Sequence, residues 1–90
     1  MNIFPKILKV IPLADKKLSV LFDNGKTKTY DCKQLLKKPA FSLLKEEPFF
    51  KSVKVEVGGY GISWNDNVDI SEYELWTNGM EIDLVEHTPV

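Results

Sequence analysis

Ninety residues support one domain with one modest core, and a composition that is 43% hydrophobic, 11% aromatic and 28% charged excludes a disordered, collagen-like or low-complexity chain. One cysteine, Cys32, and one histidine, His87, exclude an internal disulfide framework and a Cys/His zinc site, and they fit a reducing cytoplasm. The net charge of -1 conceals a segregation: residues 1–57 carry twelve lysines against six carboxylates, residues 58–90 carry seven carboxylates and no lysine, and arginine is missing altogether. That asymmetry predicts either two electrically distinct surfaces or an acidic segment folded against a basic body. Residues 1–6 lack a basic region followed by an apolar one, and no apolar run could span a bilayer, so a cytoplasmic chain with no membrane partner is expected.

In chain order, Ile7–Leu13 is rich in β-branched residues and reads as a first strand, followed by a polar turn at Asp15-Lys16-Lys17. Leu18, Val20 and Phe22 then alternate onto one strand face. Asn24-Gly25 predicts a two-residue type I′ turn, so residues 17–31 should close as a tight hairpin. At Asp31 the period changes. Asp31 with Gln34 reads as an N-cap and capping-box pair, and Pro39 and Pro48 break residues 32–51 into a helical excursion across the sheet. Within it, Phe41 and Leu44 share a stripe and Phe49-Phe50 should plug the core.

Residues 52–57 alternate with three valines on one face, turn at Gly58-Gly59-Tyr60-Gly61, and return through Ile62-Ser63-Trp64 as a second hairpin. Asn65-Asp66-Asn67 reads as a loop. Ser71 and Glu74 form a capping box that starts a short helix ending at Asn78-Gly79, and residues 80–90 form an acidic tail able to add an edge strand. The expected architecture is a single α+β domain over residues 1–90: a small antiparallel sheet of two hairpins plus a first strand, a broken helical excursion between the hairpins, and a short C-terminal helix.

Chemistry-bearing patterns are sparse. Gly58-Gly59-Tyr60-Gly61 lacks the spacing of a phosphate loop, and no helix begins directly after it. Asp66, Asp69, Glu72 and Glu74 lack the spacing of a calcium loop, and Cys32 and His87 have no arrangement that would make a nucleophile. The expectation is therefore a protein that is not an enzyme and uses no cofactor. Without arginine, and with an acidic third, direct nucleic-acid binding is not expected. What remains is binding. Tyr60, Trp64, Tyr73 and Trp76 concentrate in the acidic third; Trp64 shares a face with Ile62 and reads as core, whereas Tyr60 at a turn and Trp76 near a helix end read as exposed. The expected partner-binding surface is Tyr60, Asp69, Glu72, Tyr73, Glu74 and Trp76, facing a small basic protein or a second copy of the chain in a homodimer. The alternative is a sensor domain that binds a small ligand or cation beside residues 64–74.

The order of these pieces carries a resemblance. Residues 18–25 (LSVLFDNG), Tyr30-Asp31, residues 49–53 (FFKSV), and Trp64 followed by Asp69-Ile70-Ser71 and Leu75 resemble the small bacterial family catalogued as domain of unknown function 2442, over about residues 6–78. The resemblance implies an α+β domain with a small antiparallel sheet and no catalytic residue to carry over. It also implies an antitoxin-like partner role, since members look like partners of a second small protein in toxin–antitoxin-like gene pairs. Some members are fused to a helix-turn-helix domain, which is not expected here, and many have tyrosine where Trp76 stands.

Overall fold

Alternation builds the first half of the molecule, which a computed structural model describes for residues 4–81. Strand β1 (Ile7–Leu13) pairs antiparallel with β2 (Lys17–Phe22), and β2 pairs with β3 (Thr27–Asp31). Leu18, Val20 and Phe22 are fully buried, as their period of two predicts, and Tyr30 joins them from β3. The Asn24-Gly25 turn differs from expectation in type. A type I′ turn needs positive φ at both central residues, and here only Gly25 has it, at 87°. Gly25 N–H donates to the Phe22 carbonyl at 3.0 Å and Phe22 N–H to the Lys26 carbonyl at 2.9 Å, closing a three-residue loop with a left-handed glycine at its end. Asn24 is freed from the left-handed region, and its side chain accepts from Lys26 N–H at 3.0 Å.

The excursion that follows is mostly 3₁₀, with turns over Lys33–Lys37 and Pro39–Lys45, before the single α-turn α1 (Glu47–Phe50). Pro39 and Pro48 each open a segment, where a missing N–H costs nothing. Asp31 does not cap this excursion in the expected capping-box manner. It ends β3, and its carboxylate accepts from Lys33 N–H at 2.9 Å, an Asx-type turn two residues on. Leu35, Leu44 and Phe50 are buried under the excursion, and Phe41 and Phe49 pack against them half-buried. The excursion is tied back to the β1–β2 turn, where Asp15 and Lys16 both hold positive φ. Lys33 meets Asp15 at 2.7 Å, and Lys16 pairs with Glu47 while lying 5.1 Å over the Phe50 ring. These pairs hold the Asp15 and Glu47 carboxyls below the usual carboxylate range.

The second half forms its own three-stranded sheet, in which β5 (Gly61–Asn65) sits between β4 (Lys54–Val55) and β6 (Val68–Ser71). The valine alternation at 52–57 yields only two strand residues, because Val57 leaves the sheet into the turn Val57–Gly59 and is 97% exposed. Gly59 explains the departure: it presses on β1, and a Cβ there would lie 2.6 Å from the Ile7 carbonyl oxygen. The segment around Asn65-Asp66-Asn67 is a hairpin turn, and residues 68–71, to which the sequence pattern assigns no element, form a strand. Trp64 is core: its indole N–H donates to the Phe50 carbonyl at 2.9 Å, and its ring stacks on Phe50 with centroids 6.3 Å apart.

Helix α2 (Glu72–Asn78) starts where the capping box predicts, with Ser71 Oγ accepting from Glu74 N–H at 3.1 Å. Leu75 is its buried anchor. After it, β7 (Met80–Glu81) pairs with β3 and completes a four-stranded sheet in the order β1-β2-β3-β7. The α+β architecture is thus the expected one, with the strands divided between two antiparallel sheets that share one core. Among the described residues no helix is long and apolar enough to cross a membrane. His87 and the rest of the tail beyond Glu81 lie outside the described residues.

Candidate functional site

The six residues of the expected partner surface separate into three places. Tyr60, Glu72 and Tyr73 come together. The turn before β5 presents Tyr60, the first turn of α2 presents Glu72 and Tyr73, and Glu72 N–H donates to the Tyr60 carbonyl at 2.9 Å, locking the two segments together. Both tyrosines are exposed, Tyr60 at 59% and Tyr73 at 52%. Neither ring hangs free. Lys6 Nζ sits 4.5 Å from the Tyr60 centroid and bonds the Glu72 carboxylate at 2.8 Å, and Phe4 packs edge-on to Tyr73 with centroids 4.8 Å apart. The Glu72 hydrogen bond raises the Lys6 pKa against the opposing effect of desolvation. Lys6 and Phe4 were not legible as members of this site, since they lie more than sixty positions away from Glu72 in the chain.

Asp69 and Glu74 belong to a different feature, a cleft of about 240 Å³ between the helical excursion and the β6–α2 junction. Leu35, Phe41 and Ile70 give it an apolar wall, and Asp69, Ser71 and Glu74 bring polar groups, with Lys38 also lining it. Inside, the Tyr30 hydroxyl donates to Glu74 Oε2 at 2.8 Å. This bond explains why the capping box is only half made: the Glu74 side chain turns to Tyr30 instead of back to the Ser71 N–H. Burial, and then the Glu74 carboxylate, push the Tyr30 hydroxyl pKa well above its usual value.

Trp76 is not exposed as expected. It is half-buried, edge-on to Phe22 at 5.1 Å, and covered by Lys28, whose Nζ lies 3.9 Å from the ring centroid and donates to the Trp76 carbonyl. The reason is that α2 packs against β3, which places Lys28 over the ring. Cys32 is fully buried, and burial pushes its thiol up to about 12. Among the described residues no group of three or more His, Cys, Asp or Glu side chains converges to hold a metal ion. Asp66 and Asp69 make no ion pair among the described residues, whereas Glu72 and Glu81 pair with Lys6 and Lys26.

Two antiparallel sheets sharing a core, a 3₁₀-rich excursion, and a seven-residue helix that presents an aromatic patch define a small α+β domain without a metal cluster among its described residues. Residues 7–81 match the family described as Protein of unknown function (DUF2442), and the chain belongs to that family. Compared with curated proteins and with solved structures, the chain matches none.

Proposed function

We propose that this chain is a non-enzymatic, cytoplasmic protein-interaction module that docks a small basic protein through the patch of Tyr60, Tyr73 and Glu72. The observation that carries the reading is the geometry of the two tyrosines: more than half exposed, yet each held by a second side chain. Rigid, amphipathic rings presented at the surface are the usual anchors of protein interfaces, because little side-chain entropy remains to be lost on binding. Asp66 and Asp69, which make no ion pair among the described residues, add negative charge beside the patch and favour a basic partner. An antitoxin-like role, which the family resemblance implies, is one form of this function.

A photo-crosslinking side chain placed at Tyr60 or Tyr73, in cells that carry the gene's own neighbours, tests the reading. Crosslinks to one basic protein from both positions, and not from exposed Lys45, are expected. Tyr60→Ala with Tyr73→Ala should then weaken association with that purified protein by at least ~30-fold, an ordinary loss for two interface anchors. Crosslinks only between copies of the chain would replace the partner by a homodimer, and no position-dependent crosslink would refute the docking patch.

A further inference from the structure

We infer that the cleft beside Glu74 receives a single arginine side chain of the protein partner, an inference that rests on the interaction-module reading and adds its chemical specificity. Electrostatics comes first. Glu72 and Glu74 stand two positions apart on α2, and both are half-buried, but only Glu72 has a cation, Lys6. Glu74 has a phenol hydroxyl on one carboxylate oxygen and no ion pair among the described residues. Asp69, in the same cleft, likewise makes no ion pair among the described residues. Lys38 also lines the cleft but makes no ion pair with either carboxylate among the described residues, so two carboxylates face one lysine, and a half-buried carboxylate in that balance is the condition that an incoming cation relieves.

The walls then choose among cations. Leu35, Phe41 and Ile70 line the same cleft as the carboxylates and give it an apolar, partly aromatic surface. A lysine ammonium is strongly hydrated and gains little there, whereas a planar guanidinium stacks on an aromatic face while its edge bonds carboxylates. The volume of about 240 Å³ lies below the range of drug-sized ligand sites and suits one long side chain. The source cannot be a second copy of the chain, because the sequence contains no arginine. Tyr30 and Ser71 act as positioning residues: the Tyr30 hydroxyl holds Glu74 toward the cleft, and Ser71 fixes the helix turn that carries it.

Titration of the full chain with N-acetyl-arginine amide, followed by amide chemical shifts, tests this. Saturable shifts at Phe41, Ile70, Ser71 and Glu74 are expected. The neutral isostere N-acetyl-citrulline amide should bind at least ~10-fold more weakly, and N-acetyl-lysine amide should fall between them. Glu74→Gln should weaken arginine binding at least ~5-fold, and Asp69→Asn, on an exposed strand position, supplies the same test should Glu74→Gln disturb folding. Tyr60→Ala with Tyr73→Ala should leave the arginine shifts unchanged. Citrulline binding as well as arginine, or shifts that fail to saturate or map elsewhere, would overturn the cleft assignment. If in addition the tyrosine variants still abolish association with the crosslinked partner, the docking function stands and the arginine anchor alone falls.

Discussion

Two glycines with almost the same backbone angle have different consequences. Gly25 and Gly59 both hold positive φ, at 87° and 76°, but a Cβ at Gly25 would meet nothing within 4 Å while one at Gly59 would strike the Ile7 backbone. Gly25→Ala should therefore cost only the left-handed strain, about 1 kcal/mol. Gly59→Ala adds a backbone collision between the Val57–Gly59 turn and β1, and should cost ~3 kcal/mol or more; urea denaturation of both variants measures the difference. Cys32 gives a second test at this scale, through pH. Its pKa is raised from 9.0 to about 12 by burial, so the folded chain keeps a thiol proton that the unfolded chain loses. The associated stability is fully present below pH 9 and declines as pH rises toward 12, by up to ~1.4 kcal/mol per pH unit for one group. Tyr30, also raised by burial, and the raised lysines Lys6 and Lys33 push in the same direction. Cys32→Ala should therefore unfold more easily at neutral pH through a small cavity, but show a flatter fall in stability between pH 9 and 11 than the parent.

At the scale of elements, α2 shows how a local signal and a tertiary contact divide one motif. The seven-residue helix is too short to persist alone and relies on its cap and on buried Leu75. Ser71→Ala should cost about 1 kcal/mol in thermal or chemical unfolding, and Ser71→Asp should restore most of it, since Asp also accepts from the N3 amide. Such signals were legible in the sequence: the alternation of β2, the prolines that open the excursion, and the Ser71 cap all act within a few residues of where they are read. What was not legible depends on distant segments. The valine run at 52–57 reads as a full strand, but the turn that brings Gly59 onto β1 expels Val57. Residues 68–71 pair with β5 although only four residues long, and Asn67 N–H bonding to Asn65 Oδ1 at 2.8 Å stabilises the turn that allows it. The candidate site follows the same rule. Tyr60 and Tyr73 were found from composition and position, whereas Lys6 and the Tyr30–Glu74 bond are products of folding. The edge strand β1 carries exposed Leu8 and Ile11, but Lys9, Pro12 and an irregularity between Ile7 and Lys9 spoil it as a template for another strand.

Across the whole molecule, the segregated charge of the sequence is partly rejoined by the fold. Lys6–Glu72 and Lys26–Glu81 connect the lysine-rich segment to the acidic third at 2.8 Å each, and Lys28 reaches the Trp76 carbonyl. The described carboxylates of the acidic third are therefore of two kinds. Glu72, Glu74 and Glu81 hold the molecule together, and Asp66 and Asp69 face outward without ion pairs among the described residues. Reversing Glu72, Glu74 and Glu81 to lysine replaces two attractions by repulsions and deprives Tyr30 of its acceptor. The summed cost should be on the order of 2–4 kcal/mol, although each surface pair alone is worth at most ~1 kcal/mol. In a domain of this size that lowers Tm by roughly 10 °C or more. Reversing Asp66 and Asp69 should stay within ~0.5 kcal/mol of the parent, because neither side chain makes an ion pair among the described residues. The second pair is consequently the one that reports on association. If the outward carboxylates steer a basic partner, Asp66→Lys with Asp69→Lys should slow its association severalfold at ~0.05 M salt, and the difference should shrink at ~0.5 M as the screening length contracts. An association rate equal to the parent's at low salt would place the electrostatics of docking on carboxylates other than Asp66 and Asp69.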